Sequence, residues 1–376
     1  MSSRSVGTPS AQASIFEGVP LIEGVPRYPK YTELLLANGP GPTRVREIID
    51  SWLSTDPPPY RNEMRTRLVN DRNGLGAFYE LLIRQALRQL FGEPAREPAG
   101  LPCEGNPDYA VKVNRRQVVV EVTTLEEIVT QEERKRREIT RALDGISGAW
   151  HLAVQWTLCT GLEAVPPKRV ADAVRTHLPK LTHEKHDLDL RVDGGKFRAM
   201  LVPASKVLSS IVSMDMSMGV KYNPGGEQIR DDVKEKTRRY RGVKAAGIPL
   251  IIAIGSDFGY VDAETIFSAL FGDETMVLTM ENDELKDLTP GPLNYAGMLT
   301  PARAGTVRYT TLTAAWLVRW RLKGMDLMAQ IVHIPNPWAA NPLDWQDDRV
   351  ATLRHERTGA NVRFLPPSTL PEIQLA

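Results

Sequence analysis

The stretch Asn106 to Thr124 limits the fold of this chain more than any other. It reads N-P-D-Y-A-V-K-V-N-R-R-Q-V-V-V-E-V-T-T. Two β-prone runs flank Asn114-Arg115, and Asn tolerates the positive φ that a two-residue hairpin turn requires. With the turn there, Val113 faces Arg116, and each further pair steps outward by one residue on both strands. Asp108 then falls opposite Glu121, with Cβ atoms about 5 Å apart on one face. Two carboxylates this close repel, which raises one pKa unless a cation stands between them. The pairing is costly as structure alone and sensible as a metal site. Val118 to Val120 is a continuous apolar run, as in a central strand covered on both faces. Thr123 shares the face of Glu121, because strand side chains alternate. The plainer alternative is an exposed hairpin end with unpaired acids.

The 376 residues suffice for a sizeable core and one or two domains. Net charge is +1, so there is no broad basic field, and any nucleic-acid contact must come from local patches. Cys103 and Cys159 are the two cysteines, far apart in sequence. That argues against a disulfide scaffold and a cysteine zinc site, and it fits a reducing cytoplasm. The N-terminal M-S-S-R-S-V-G-T-P-S lacks a signal-peptide pattern. The longest apolar runs, such as Ile248 to Ile254, are too short to span a bilayer. The expectation is a cytoplasmic protein with no membrane partner.

Residues 1–42 are rich in Gly, Pro and Ser and read as a loosely held tail. Residues 43–72 read as a helical segment, with Thr43 capping a helix through Trp52 and a second helix over Arg61 to Val69. Asn73 is positioned to cap a helix over Gly74 to Phe91. Leu75, Tyr79, Leu82, Ile83, Ala86 and Leu90 bury one face of it, and Gly92 ends it. Glu80 sits at the border of that face, where a surface pairing with Arg84 is the simple reading. Glu126 to Leu143 is a charged helix. Arg134 to Arg137 on it lie on a solvated face or touch phosphate.

Further on, Trp150 to Thr160 reads as a strand, Pro166 to Leu181 as a helix and Lys196 to Pro203 as a strand. H-E-K-H at 183–186 is one residue short of the zinc helix signature. Asp187, Asp189 and Asp193-Gly194 lack calcium-loop spacing. Neither is taken as a site. Ser209 to Gly226 reads as a loop. Glu227 to Val243 then reads as a helix with Ile229, Val233, Lys236 and Tyr240 on one face. A lysine there either snorkels to the rim or serves a site. Lys234 faces away. A buried strand follows at Ile248 to Ile254, then a helix over Asp262 to Phe271, a strand over Thr275 to Met280 and a loop over 281–305. Val307 to Trp320 and Leu327 to Ile334 read as strands placed to pair across Lys323-Gly324. Residues 351–376 read as a peripheral C-terminal tail.

The blocks G-A-F-Y-E-L-L-I-R-Q-A-L, P-D-Y, V-V-V-E-V-T-T and K-T-R-R-Y…G-I-P-L-I-I-A-I occur in that order. The chain thereby resembles the PD-(D/E)XK nuclease superfamily, with E-V-T where E-x-K is usual. The resemblance implies an α/β restriction-endonuclease-like domain over residues 73–350: a mixed central sheet flanked by helices, with a short N-terminal helical extension. It implies a magnesium-dependent endonuclease, with manganese as a substitute, that acts on nucleic acid, DNA foremost, and works as a homodimer. Asp108 and Glu121 match the metal-binding acids, and Glu80 matches the acid contributed by the first helix. Thr123 stands where the usual lysine would, and Lys236 is the candidate replacement. The alternative is a module that kept the fold, lost catalysis, and binds nucleic acid or a partner. No P-loop, G-x-S-x-G or Rossmann fingerprint is present, so nucleotide hydrolases, serine hydrolases and dehydrogenases are poorly supported.

Overall fold

The computed structural model describes residues 13–23, 30–125, 131–178, 184–208, 210–215, 225–256, 263–271, 276–281, 284–290, 298, 309–358, 361–365 and 370–375. The chain divides into two compact units. One comprises Met1–Glu23, Leu34–Glu127 and Asn223–Ala376, the other Gly24–Glu33 and Ile128–Tyr222.

Helices come first: α1 (Tyr31–Leu36), α2 (Pro40–Leu53), α3 (Pro58–Leu68) and α4 (Gly74–Phe91). Prolines occupy the first turns of α2 and α3, where a missing N–H leaves nothing unpaired. Thr43 therefore lies inside α2 instead of capping it, and its hydroxyl accepts from Arg46 Nη2 at 2.9 Å. Asn73 is the N-cap of α4 but makes no side-chain capping bond. Gly92 ends the helix at φ 86°. Burial in α4 runs nearly all round, since Phe78, Tyr79, Leu81, Leu82 and Ile83 are each fully enclosed.

The segment read as a loose tail is tied down where it is described. Ser14 Oγ donates to Asp50 Oδ2 at 2.5 Å, Ile15 N donates to Asp50 Oδ1 at 2.8 Å, and Ile15 and Phe16 are buried. Residues 1–12 lie outside the described residues.

Strands β1 (Ala95–Arg96), β2 (Tyr109–Val113) and β3 (Arg116–Thr124) follow. The longer segment of the second unit then carries α5 (Gln131–Asp144), β4 (Gly148–Val154), α6 (Pro167–His177), β5 (His186–Val192), β6 (Gly195–Leu208) and β7 (Val212–Asp215). Its strands form a sheet in the order β5-β6-β4-β7. Ile139, Leu143, Val170 and Val174 pack with Leu152, Phe197 and Leu201 in its core. Arg136 pairs with Glu132 and lies 5.8 Å from the Trp156 ring. His186 opens β5 and meets the Trp150 ring edge-on at 6.1 Å. Asp189 is paired with Lys196 and Arg198. His183 and most of the 209–226 loop lie outside the described residues.

The first unit resumes with α7 (Gly225–Arg239), α8 (Arg241–Ala245), β8 (Leu250–Gly255), α9 (Ala263–Phe271), β9 (Met276–Glu281), β10 (Glu284–Pro290), β11 (Leu312–Lys323) and β12 (Asp326–Pro335). It closes with β13 (Ala351–Thr352), β14 (Arg354–Thr358), β15 (Asn361–Leu365) and β16 (Ile373–Gln374). The loop read at 281–305 lies mostly outside the described residues, and β10 occupies part of it. The central sheet runs β1-β2-β3-β8-β11-β12-β13, with β16 also on β12. β3, β8 and β11 are parallel, while β2–β3 and β11–β12 are antiparallel. The fold is thus mixed α/β, with a mixed central sheet flanked by helices. The C-terminal segment is part of it: Ile373 and Leu375 are buried, and Trp52 Nε1 donates to Leu375 O at 3.3 Å. No helix among the described residues is long and apolar enough to cross a membrane.

Register fixes which side chains share a face. Glu121 pairs with Ile252, and Ile252 with Ala315. Thr123, Ile254 and Leu317 form the next row on that face. Ile229 and Val233 of α7 and Leu270 of α9 cover this face as part of one core. On the other face α4 packs through Phe78, whose ring meets Trp320 at 5.0 Å. Val118, Val119 and Val120 are fully buried between the two layers, each contributing about 1.5–3 kcal/mol of hydrophobic stabilisation.

Candidate active site

The hairpin turn forms as its sequence requires. Asn114 and Arg115 adopt φ of 49° and 67°, and Val113 pairs with Arg116. The ladder runs out to Tyr109↔Val120, so Asp108 and Glu121 come next on their strands, side by side. Asp108 N donates to Glu121 Oε2 at 3.3 Å, and Val122 N donates to Asp108 Oδ2 at 2.7 Å. Glu121 is 4% exposed, a carboxylate taken almost wholly out of water.

Helix α7 supplies the compensating charge. Lys236 Nζ donates to Glu121 Oε1 at 2.6 Å and to Val122 O at 3.0 Å. One turn on, Tyr240 Oη donates to the other oxygen, Glu121 Oε2, at 2.9 Å. The four-residue spacing puts both groups on one helix face, and the carboxylate is gripped from both sides. Ile229 and Val233 on that face are buried, which seats α7 on the sheet.

The corner after α7 is held by a close backbone approach. A Cβ on Gly242 would lie 1.5 Å from Pro102 O, so only glycine lets α8 press against that segment. Glu104 N donates to Arg239 O at 3.3 Å, and Tyr240 Oη reaches Asn106 O at 3.4 Å. The loop leading into Asp108 is thus fastened to the helix that carries Lys236 and Tyr240. At the end of β8, Gly255 leaves room for the Tyr79 ring, which a Cβ would meet at 2.3 Å.

Electrostatics follow from burial. The Asp108 carboxyl is pushed up to about 7, first by desolvation and then by the charge of Glu121. Burial and the same Glu121 charge push the Tyr240 phenol upward, so it stays protonated and donates. Asp232, one turn before Lys236, is also raised by burial. Asp108, Glu121 and Asp232 face the cations Lys236 and Arg239, the last through its hydrogen bond with Tyr240, so acids outnumber cations by one. Among the described residues Asp108 Oδ1 has no hydrogen-bond partner. Asp108 Oδ1, Glu121 Oε1 and the Val122 carbonyl are hard oxygen donors, the type a magnesium ion prefers.

Glu80 is placed differently. Its carboxylate accepts from Arg67 Nη1 at 2.8 Å and is also paired with Arg67 Nη2. Its carbonyl accepts from Tyr109 Oη at 3.0 Å. Arg84 turns away to Asp56 and Glu93, so the simple i+4 pairing does not form. The charge of Glu80 still adds to the rise of Asp108, so it lies within electrostatic reach of the pair, and among the described residues no group of three His, Cys, Asp or Glu side chains is arranged to hold a metal ion. Thr123 lies on the expected face, half-buried. Lys234 pairs with Asp231, away from the site.

Sequence reasoning missed Arg67, which has no local signal. It also missed the part played by Tyr240, whose spacing from Lys236 was the available clue. No protein-family model, no curated protein and no solved structure matches this chain.

Proposed function

We propose that this chain is a metal-dependent nuclease of the restriction-endonuclease-like type, hydrolysing phosphodiester bonds of nucleic acid, DNA foremost. One observation carries the reading: Lys236 Nζ lies 2.6 Å from Glu121, beside Asp108, on the face where Thr123 leaves no charge. An ammonium from α7 thus stands in for the lysine the strand lacks. Asp108 Oδ1 and Glu121 Oε1 would hold magnesium or manganese. A bound ion would supply Lewis-acid polarisation of the phosphoryl oxygen and a more acidic attacking water. Tyr240 and Lys236 orient Glu121, and Lys236 places positive charge where the phosphorane charge develops.

Plasmid and single-stranded substrates incubated with Mg²⁺, Mn²⁺ or EDTA test this. Asp108→Ala and Glu121→Ala are each expected to lower metal-dependent cleavage at least about 100-fold. Cleavage that survives both substitutions sinks the assignment.

A second reading has its own support: a module that binds without cleaving. Glu121 is already satisfied by Lys236, Tyr240 and the Asp108 N–H, so the cluster is stable with no metal. Lys236→Met separates the two. A nuclease loses cleavage while its metal affinity, read by calorimetry, rises because a competing cation is gone. A binding module shows no cleavage in any metal and no metal uptake before or after the substitution.

A further inference from the structure

The face that carries Glu121 and Thr123 does not end where β8 ends. β8 and β11 are last paired at Val318↔Gly255, and β11 continues to Lys323, a further reach of about 16 Å. The row after Leu317 on this face is Arg319, then Arg321, then Lys323, because strand side chains alternate. From β12, Gln330 stands opposite Arg319 and Met328 opposite Arg321. These residues line an open groove of about 590 Å³, with Leu370 and Glu372 on its far wall. The arm is stiff. Trp320, on the other face, packs on Phe78, and Arg44 Nε donates to Met325 O at the tip at 2.7 Å.

Glu372 is the telling group. The pairing Ala329↔Ile373 brings β16 alongside β12 and sets Glu372 in the groove. Its carboxylate meets Arg321 Nη2 at 2.5 Å and Lys323 Nζ at 3.7 Å. An anion therefore already lies where the two cations converge. Arg321 and Lys323 are 64% and 67% exposed, against 16% for Glu372, so the two cations lie in solvent where a second anion can reach them from the open side of the groove. Asp326, opposite Lys323, is the other acid at the tip. The cations recur every second residue, about 6.6 Å apart along the strand. That repeat is comparable with the spacing of consecutive phosphates on one nucleic-acid strand.

We infer that the Arg319–Arg321–Lys323 row is a track for the phosphodiester backbone, leading substrate along the sheet face toward Asp108 and Glu121, with Glu372 as an internal anion that phosphate displaces. The choice of polynucleotide as occupant rests on the nuclease reading; the groove's affinity for polyanions does not.

The test is fluorescence anisotropy of a labelled oligonucleotide with the full chain in EDTA, across a salt series, alongside separate cleavage assays in Mg²⁺. The double variant Arg321→Gln/Lys323→Gln is expected to bind at least about tenfold more weakly and to lose about 1.5 to 2 from the slope of log K against log salt, one phosphate contact per cation. Glu372→Gln is expected to bind about threefold more tightly at low salt, because one like charge is removed from the path of the phosphate. Arg321→Lys/Lys323→Arg should keep the wild-type slope, which guards against a folding artefact. Unchanged affinity and slope in the Gln double variant overturn the track, even if metal-dependent cleavage persists. A wild-type chain that does not bind the oligonucleotide overturns it too. Binding lost as expected, with no cleavage in any metal, leaves the track standing and overturns the nuclease reading instead.

Discussion

Asp108, Glu121, Lys236 and Tyr240 meet on one face of the central sheet, and Trp316, His333 and Trp345 meet on the other. Both clusters are buried, and both are polar. In the second, Trp316 Nε1 donates to His333 Nδ1 at 2.8 Å, and Trp345 closes over the pair with ring centroids 5.7 and 5.6 Å away. Burial pushes His333 down to about 4, so it is neutral and accepts. Its donor and acceptor match, and no charge is left over. In the first cluster Lys236 and Tyr240 match Glu121, but Asp108 remains in excess, and its pKa rises to about 7. A cluster that only stabilises a fold has no reason to bury a second acid beside the first. The raised Asp108 carboxyl is what sets the Glu121 face apart from the neutral Trp316–His333 cluster, and it is the difference on which the proposed cation site rests.

The largest expected loss of stability comes from breaking the charged cluster. Glu121→Ala leaves the Lys236 ammonium without the carboxylate it now touches and should destabilise the chain by about 3 kcal/mol. Urea unfolding in EDTA reads this directly. A neutral or stabilising result would mean that Lys236 is solvated at the rim and that the clamp is weak.

The neutral cluster gives the next effect through pH. His333 titrates near 6.5 when unfolded and near 4 when folded, so its contribution is present above pH 6.5 and fades as pH falls to about 4. The loss amounts to about 3 kcal/mol. Asp108 slopes the other way over the same window. Its folded pKa is raised, so its contribution is present below about pH 4 and is lost as pH rises to about 7. In the wild type the two oppose each other and flatten the profile. His333→Leu should expose the falling slope, with stability decreasing from pH 4 to 7. Thermal melts across that range check it, and a profile unchanged by the substitution would deny the His333 assignment.

Asp108→Asn sharpens the contrast. It removes the surplus charge and keeps an acceptor for Val122 N–H. At pH 8 in EDTA it should raise stability by up to about 4 kcal/mol, and in a separate Mg²⁺ titration without chelator it should abolish metal uptake, the signature of a group kept for function at a cost to the fold. Loss of stability on this substitution would place Asp108 among the structural acids.

Much of this site was legible in the residue order. A two-residue turn at Asn114-Arg115 admits one register, and that register alone set Asp108 beside Glu121. The apolar run Val118 to Val120 announced a central strand, and the 236/240 spacing put Lys236 and Tyr240 on one face of α7. These features depend on local geometry, with periods of 2 and 3.6 residues, which a sequence states outright. Fates set by distant partners were not legible. Glu80 turns to Arg67, and Arg84 to Asp56 and Glu93, because α3 packs beside α4. The C-terminal residues joined the sheet because β12 had an edge for Ile373 to pair with. Pro40 moved the start of α2 ahead of Thr43, because a proline is free of cost in a first turn. By itself the sequence determined the hairpin, its opposed acids and the face bearing the lysine, since each follows from neighbours along the chain. Only the tertiary structure decided that Lys236 reaches Glu121 and that Glu80 pairs with Arg67. Which charges meet across elements is a matter of packing, and packing is set by the whole chain at once.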